Sequence, residues 1–162
     1  MNGEACPDGA LTWRIRGSLL GYVLRMAGGT CEVSGGATVD ATGAFTFPLR
    51  HAVEVGDDWG LAFEGSVRLR GHHGVLDIVI ADPELVMEGA GGVLMARTGS
   101  EAPGAPTPIA VTAPARAERA GAGVVWKDVR TTLVEPAVAL FGDVYAAGTE
   151  LAPLSAWVAL TR

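Results

Sequence analysis

The sequence is poor in the side chains from which metal sites and nucleophilic centres are usually built. It has two cysteines and three histidines in 162 residues, and they lack the paired spacing of a structural zinc site. It also lacks the GxSxG turn of many serine hydrolases and the glycine-rich loops that hold nucleotide phosphates. The sequence therefore argues against a zinc-stabilised domain, a hydrolase of that type and a nucleotide-binding protein.

Positive charge and long apolar runs are scarce as well. Lysine and arginine number 12 against 18 aspartates and glutamates, a formal net charge of −6, whereas proteins that bind duplex nucleic acid need a basic surface. The longest stretch without a charged residue, 102–115, has 14 residues interrupted by four prolines, so we expect no membrane-spanning helix. Residues 1–10 lack the pattern of a signal peptide, which favours a cytoplasmic chain or the mature form of an exported one.

The two cysteines, Cys6 and Cys31, leave two alternatives open. They are too few for a disulfide-stapled scaffold, but one bridge between them would tie the N-terminal segment to the rest of the domain. Two unpaired thiols are also compatible with the sequence, because it does not give the Cα separation that a disulfide requires.

Short segments in which apolar and polar residues alternate make up most of the chain. They are separated by glycine, which is typical of antiparallel strands with one buried face. The clearest, 61–70, is predicted to be one half-buried strand that leads to a hairpin tip at 71–74. About ten such segments predict a mainly β fold of two packed antiparallel sheets, like a β-sandwich. The length fits a tail over 1–10 and a single domain over 11–162.

Two short helices are predicted among the strands. Apolar residues at helical spacing indicate the first one, with Ser18 as its N-terminal cap and Gly28 at its end. The second is predicted over 136–147, where a proline opens the segment and a glycine follows it.

The sequence contains few titratable side chains that could ligate a metal through nitrogen, sulfur or phenolic oxygen. Tyr22 lies on the first predicted helix, His72 and His73 at the hairpin tip, and Tyr145 on the second helix. If these segments converge, a phenol beside an imidazole suits iron(III), because ferric iron favours phenolate oxygen and a histidine can orient that oxygen. Ordinary packing of Tyr22 and a solvated histidine turn would explain the same pattern.

Five segments of the sequence resemble one protein family. In order they are LTWRIRGSLLGYV, AGGTCEVSGGAT, FTFP, AFEGSVRLRGHHGVLDIVIADP and FGDVYAAGTELAPLS. Together they are similar to the HtaA domain of actinobacterial haem-uptake proteins, over nearly the whole chain. The resemblance implies a non-enzymatic, β-rich domain at the cell surface that binds haem b non-covalently for iron acquisition. Its implied partners are host haemoproteins that give up haem, and other haem carriers or a haem transporter that receive it.

The resemblance also assigns roles to individual residues. Tyr22 takes the position of the family's axial iron ligand. The histidine of the family's GHxG turn, which is the hydrogen-bonding partner of that tyrosine, falls on His72, with His73 as the alternative. The tyrosine of the YAAGT segment is Tyr145, which would line the pocket or support the ligand.

Helix geometry adds two candidate haem contacts. Arg25 and Met26 follow Tyr22 by three and four residues and so lie near it on the same side of a helix. Arg25 would meet a haem propionate, with a solvated arginine as the alternative. Met26 would contact haem or pack in the core.

The sequence favours a haem-binding transfer module without catalytic turnover. The alternative is a structural or adhesive β-sandwich that has lost the ligand. An enzyme that acts on haem would need acid and base groups on the open haem face, and the sequence offers no clear candidate. The resemblance implies a cell-surface or secreted protein, while the absence of an export signal in the sequence leaves a cytoplasmic location open.

Overall fold

The computed structural model describes residues 8–17, 19–26, 28–99 and 104–160. Within these ranges the chain forms twelve strands: β1 (Gly9–Trp13), β2 (Thr30–Ser34), β3 (Thr38–Val39), β4 (Phe45–Val55), β5 (Asp58–Phe63), β6 (Ser66–Gly71), β7 (Leu76–Glu88), β8 (Gly91–Arg97), β9 (Thr107–Thr112), β10 (Glu118–Ala120), β11 (Gly123–Leu133) and β12 (Glu150–Ala159). The helical segments are α1 (Leu19–Gly21), a π-helix over Tyr22–Met26, and 3₁₀ turns at His72–Gly74, Glu135–Ala137 and Ala139–Phe141. The mainly β fold predicted from the sequence is confirmed.

Eight of the strands close into a ring. Starting at β7, the hydrogen-bonded order is β5, β4, β1, β12, β11, β9 and β8, and β8 pairs again with β7. All of these pairings are antiparallel, and closure leaves no unpaired edge within the ring. One closed sheet therefore replaces the predicted pair of packed sheets. Alternation shows that each strand has one buried face, but it does not show whether the end strands meet.

Large apolar side chains fill the interior of the closed sheet. Alternate residues of β1 and β4 point inward, as the period of two requires. The largest fully buried side chains include Trp13, Trp126, Phe45, Phe47, Phe63 and Phe141. Strand β7 runs from the turn at 72–74 to the turn at 89–90, so these turns lie at opposite ends of that strand. Trp59 packs edge to face on Trp126 with 5.4 Å between ring centroids, and it pairs with Met87 near the 89–90 turn.

Four strands lie outside the ring: β3 pairs with β4, β10 pairs with β11, and β6 and β2 extend the sheet from β7. β6 pairs with the first part of β7, and β2 pairs with β6 along its whole length. β5 and β6 are two strands rather than the single strand predicted over 61–70, because the chain bends at Gly65, where φ is 119°. The Gly65 amide donates to Oδ1 of Asp82 at 3.2 Å, which holds the bend. Alternation continues through such a bend, so periodicity alone does not reveal it. The predicted hairpin tip at 71–74 is confirmed.

The two predicted helices differ in outcome. The first is present from Leu19 to Met26, while its predicted cap, Ser18, lies outside the described residues. The second, predicted over 136–147, is wrong in length and type, because the chain there forms two 3₁₀ turns that end at Gly142. Gly142 and Asp143 both have a positive φ, 68° and 60°, and successive left-handed residues do not continue a helix.

The sheet includes the end of the predicted N-terminal tail and one of the two cysteines. β1 begins at Gly9, inside the segment predicted as a tail, and Gly9 pairs with Val158. Cys31 lies partly buried in β2, where desolvation raises the pKa of its thiol and the neighbouring Glu32 adds to the effect. Cys6, its alternative disulfide partner, lies outside the described residues. In the part of the chain that the structure describes, we find no helix with the length and apolar character needed to span a lipid bilayer.

Candidate functional site

Tyr22 and His72 come together although 50 residues separate them in the sequence. The phenolic oxygen of Tyr22 and Nε2 of His72 are hydrogen-bonded at 2.7 Å, and either can donate, depending on the tautomer of the imidazole. The two rings meet edge to face with centroids 5.7 Å apart. The contact joins the helical segment after β1 to the turn between β6 and β7.

The helical segment holds the Tyr22 ring at the surface. Leu19 and Val23 of the same segment are buried in the core, while the Tyr22 side chain is 43% exposed. The segment changes from α to π geometry at Tyr22, and π-helical turns are rare and occur often at functional sites. It therefore presents a phenol to solvent from an anchored backbone.

Gly29 fixes how closely the helical segment approaches the histidine turn. A Cβ at this position would overlap the backbone carbonyl oxygen of Arg70 and would lie 2.9 Å from the Cα of Gly71. Glycine is therefore needed for the backbone leaving the Tyr22 segment to lie against the end of β6. This close approach places the end of the Tyr22 segment against the strand that leads into His72.

The histidine turn has an unusual backbone. His72 and His73 have φ values of 50° and 57°, in the left-handed region that non-glycine residues adopt at a cost. The turn directs the His72 ring onto Tyr22, while both histidines remain exposed to solvent. The sequence left the choice between the two histidines open because a turn resets the alternation of a strand. The structure brings His72 to Tyr22.

An ion pair across β6 and β7 supports the turn. The guanidinium of Arg68 donates to both carboxylate oxygens of Asp77, at 2.9 and 2.7 Å. These hydrogen bonds from Arg68, with the charges of Arg68 and Arg70, lower the pKa of the Asp77 carboxyl below its ordinary value, against a smaller opposing effect of desolvation. The carboxylate therefore stays ionised, and the hairpin that carries His72 stays clamped, to lower pH than an isolated aspartate would allow.

Tyr22 and His72 open onto a mostly apolar cavity, which we call the cleft. Its volume is about 360 Å³. Its walls are Leu19, Tyr22, His72, Val75, Leu76, Ile78, Phe141, Gly142, Val144 and Tyr145. Val75 and Val144 on its rim are 87% and 71% exposed, so they give the mouth of the cleft an apolar surface beside Tyr22 and His72.

Tyr145 forms part of the same cleft from the segment that follows the 3₁₀ turns. Its ring packs on Phe141 with centroids 5.8 Å apart. The same ring also contacts Arg16, whose guanidinium carbon lies 4.5 Å from the Tyr145 ring centroid in a cation–π geometry. The structure thus brings three predicted residues, Tyr22, His72 and Tyr145, to one cavity.

A second concave surface adjoins Tyr22, and we call it the arginine groove. Its volume is about 620 Å³. Its walls are Arg16, Gly17, Leu20, Gly21, Tyr22, Leu24, Arg25, Ala41, Thr42 and Gly43. Arg25 lines this groove and not the cleft, and its guanidinium lies over Gly21. The side chain of Met26, the other contact predicted from helix geometry, lies outside the described part of the structure.

Sequence reasoning missed Arg16, Val75, Phe141 and Val144 as parts of this site. Arg16 follows an alternating strand and has the pattern of a solvated arginine. An exposed valine carries no signal at the level of the sequence, because single apolar residues are common at protein surfaces. The single helix predicted over 136–147 does not show that Phe141, at the end of a 3₁₀ turn, and Val144, beyond that turn, both line the cleft.

The arrangement has a definite chemical capability. A phenolic oxygen that is exposed to a cavity, with an imidazole at hydrogen-bonding distance, can act as a hard anionic ligand to a ferric ion. When the phenol loses its proton, Nε2–H of His72 can donate to the phenolate and hold it in place. The apolar walls of the cleft suit a flat hydrophobic ligand.

Comparison with known proteins places the fold and the family. Among solved structures, the C-terminal domain of HtaA from Corynebacterium glutamicum is similar with a TM-score of 0.83 and 22% identity, covering 95% of this chain and 97% of that one. The N-terminal domain of the same protein gives a TM-score of 0.76 at 22% identity, covering 96% and 98%. The haem-binding protein HtaB from the same organism gives 0.70 at 21% identity, covering 94% and 93%.

The sequence was also compared with curated proteins and with models of protein families. No curated protein matches the chain. The model of the HtaA family matches residues 8–157, which is most of its length. The chain therefore belongs to the HtaA family.

Proposed function

We propose that this domain binds ferric haem non-covalently, with the Tyr22 oxygen as axial iron ligand, and passes it on without catalytic turnover. The observation that carries the proposal is the hydrogen bond between Tyr22 and His72 at the mouth of an apolar cleft. The fold is shared with HtaB, which is described as a haem-binding protein. Haem b is then the cargo of the domain rather than a resident catalytic group.

The residues of the cleft fit such a cargo. A porphyrin supplies four nitrogen ligands to its iron, so the protein needs to add only one donor, and a single phenolate is enough. The porphyrin ring is apolar and would cover Val75 and Val144, which are otherwise exposed. Tyr145 and Phe141 add aromatic surface to the same cavity.

His72 has the supporting part in this proposal. Its Nε2 lies 2.7 Å from the Tyr22 oxygen, close enough to donate a hydrogen bond once the phenol is ionised. Such a bond orients the ligand and tunes its basicity, which is the usual effect of a partner behind a metal ligand. His73 has no direct part in this proposal.

The biological setting follows from the family and belongs to the proposal. The sequence resembles the HtaA domain of haem-uptake proteins, so we propose a role in haem-iron acquisition at the cell surface. Haemoproteins would be the donors and further haem carriers or a transporter the acceptors. The exposure of Tyr22 supports transfer, because the ligand can be reached from solvent.

Titration of the apoprotein with hemin tests the proposal. The native domain should give the visible spectrum of a five-coordinate ferric tyrosinate haem. Tyr22→Phe removes the oxygen that would bind the iron and keeps the ring, so this spectrum should be lost. Tyr145→Phe keeps the ring that lines the cleft and serves as the matched control, which should retain the spectrum. Far-UV circular dichroism checks that both variants fold. A spectrum of free hemin with the native domain would favour a structural β domain, and an unchanged spectrum in Tyr22→Phe would refute ligation by Tyr22.

A further inference from the structure

Arg16 has a position that its sequence pattern does not explain. Its side chain is partly buried, its guanidinium stacks on Tyr145 at 4.5 Å, and Nη1 donates to the backbone oxygen of Glu150 at 3.2 Å. It belongs to none of the three ion pairs between side chains in the described part of the chain. A guanidinium held in place by an aromatic ring and a carbonyl, and not by a carboxylate, keeps its charge available for an anion.

The arginine groove concentrates this charge next to Tyr22. Of the described residues that line it, the charged ones are Arg16 and Arg25. Two like charges around a concave surface raise the local potential for an anion above that of either one alone. Because Tyr22 lines both the groove and the cleft, a ligand bound through Tyr22 lies at the border of the two.

Arg14, the arginine closest to Arg16 in the sequence, already has a hydrogen-bond partner and a nearby carboxylate. Arg14, two residues before Arg16, is exposed and donates to Oγ1 of Thr42 at 2.9 Å. It also lies near Asp40, whose pKa is lowered by hydrogen bonds from Thr42 and Ala44 and, to a smaller extent, by the charge of Arg14. The carboxylate of Asp40 offsets Arg14, whereas no acidic residue is among the described lining of the groove.

We infer that Arg16 and Arg25 form a carboxylate-binding subsite that takes the propionate side chains of a porphyrin bound at Tyr22. The inference rests on the proposed function and names which part of the ligand each surface recognises. The propionates are the anionic groups of haem, and a guanidinium binds a carboxylate through two parallel hydrogen bonds. The apolar ring belongs to the cleft and the charged edge to the arginine groove.

Metal-free protoporphyrin IX separates this subsite from iron ligation, because it has the ring and the propionates but no iron. Its fluorescence reports binding, and its dimethyl ester serves as the matched ligand without negative charge. The native domain should bind the acid more tightly than the ester. Arg16→Ala should lower affinity for the acid by roughly tenfold, the size expected for a lost charge-assisted hydrogen bond, with little change for the ester. Arg25→Ala should act in the same direction.

Two further variants keep the test decisive. Arg14→Ala removes a positive charge two residues away and should leave the ratio of acid to ester affinity unchanged. Arg16→Gln retains a donor for the Glu150 carbonyl, so it reports on the lost charge even where the alanine variant folds poorly. An unchanged ratio in both Arg16 variants would overturn the inference. An equal fall of this ratio in Arg14→Ala would also overturn the inference, because the effect would then come from net charge alone.

The failure of this inference can be told from the failure of the proposed function. Tyr22→Phe is tested with hemin, whereas the Arg16 variants are tested with the metal-free acid and ester, so the two sets of variants report on separate parts of the site. If the preference depends on Arg16 while hemin binding does not depend on Tyr22, the carboxylate subsite stands and the proposed ligation fails. If hemin binding depends on Tyr22 while the preference for acid over ester does not depend on Arg16, the proposed ligation stands and the carboxylate subsite fails.

Discussion

At the scale of single residues, the site depends on which of two adjacent histidines faces Tyr22. We expect His72→Ala to lower hemin affinity by roughly 10- to 100-fold, the usual cost of removing the partner behind a metal ligand. His72 contacts the phenolic oxygen at 2.7 Å, whereas His73 has no hydrogen bond or ring contact to Tyr22 in the described part of the chain. Competition with a haem-binding reference protein would measure both affinities.

His73→Ala is the control for this prediction, because it changes the same turn without touching Tyr22. Its hemin affinity should stay within about twofold of the native value, well below the loss that follows removal of a supporting partner. A larger loss for His73→Ala than for His72→Ala would mean that His73 is the supporting histidine in the bound state.

Residue identity in the site was predictable only in part. The family's sequence pattern pointed to Tyr22, His72 and Tyr145, and all three line the cleft. The orientation of the two histidines was not predictable from the sequence. Both have left-handed backbone angles, which the alternation of apolar and polar residues does not encode. Arg16 was missed since its role depends on Tyr145, 129 residues further along the sequence.

At the scale of elements, the site depends on contact between the Tyr22 segment and the end of β6. We expect Gly29→Ala to lower hemin affinity by roughly tenfold, toward the lower end of the loss for a displaced supporting group. The added carbon would overlap the carbonyl of Arg70 and so push Tyr22 away from His72. The free energy of unfolding should also fall by about 1–3 kcal/mol, the usual cost of overpacking.

Gly60→Ala provides the matched control for the Gly29 variant. Gly60 lies within β5, and a Cβ there would have no heavy atom within 4 Å. Its hemin affinity should equal that of the native domain. If Gly29→Ala binds hemin as the native domain does, the approach at Gly29 does not set the geometry of the site.

The β6–β7 hairpin should show a pH-dependent stability. The pKa of Asp77 is lowered in the folded state, chiefly by hydrogen bonds from Arg68. The stabilisation is therefore complete above the ordinary aspartate pKa and is lost as the pH falls through the lowered value. We expect Asp77→Asn to lower the free energy of unfolding by about 0.5–1 kcal/mol at pH 7, because the pair is partly exposed.

Urea denaturation of both proteins at pH 7 and at low pH would measure this effect. The difference between native and Asp77→Asn should shrink toward zero below the lowered pKa, since the native carboxyl is then protonated as well. Asp58→Asn removes an exposed carboxylate of β5 that belongs to none of the three ion pairs in the described part of the chain. It controls for the loss of one negative charge and should leave the free energy of unfolding at pH 7 within about 0.5 kcal/mol of the native value. A constant difference across the range would show that the amide acts through packing and not through charge.

Elements were predicted where a local pattern decides them. The hairpin tip at 71–74 and the first helix are present because glycine and apolar spacing act over a few residues. The bend at Gly65 and the end of the second helical segment at Gly142 both depend on positive φ angles. Glycine allows these angles without requiring them, so the sequence does not show which glycines use them.

At the scale of the whole molecule, closure of the sheet could not be read from the sequence. It depends on the pairing of β7 with β8 and of β8 with β9, which completes the ring. Each of these strands has the same alternation in an open sheet and in a closed one. The two arrangements differ in whether the end strands find each other, which is a property of the complete chain.

Closure predicts that the domain unfolds as one cooperative unit. Each strand of the ring is hydrogen-bonded on both sides, so losing one strand opens the entire core. Urea unfolding followed by tryptophan fluorescence and by far-UV circular dichroism should therefore give coincident transitions, with Trp13, Trp59 and Trp126 reporting from the interior. We expect Ile80→Val, a change in a buried β7 side chain, to lower the free energy of unfolding by about 0.5–1.5 kcal/mol with an unchanged slope against urea.

Hemin should stabilise this unit as a whole, because the bound ligand touches segments that are distant in the sequence. Free hemin at one hundred times its dissociation constant should add about 2.7 kcal/mol to the free energy of unfolding, and both optical probes should shift together. If the circular dichroism transition preceded the fluorescence transition, β2 and β6 would be unfolding before the ring. The Tyr22–His72 contact joins the helical segment before β2 to the turn after β6, so it would then be lost first, and hemin would delay the earlier transition alone.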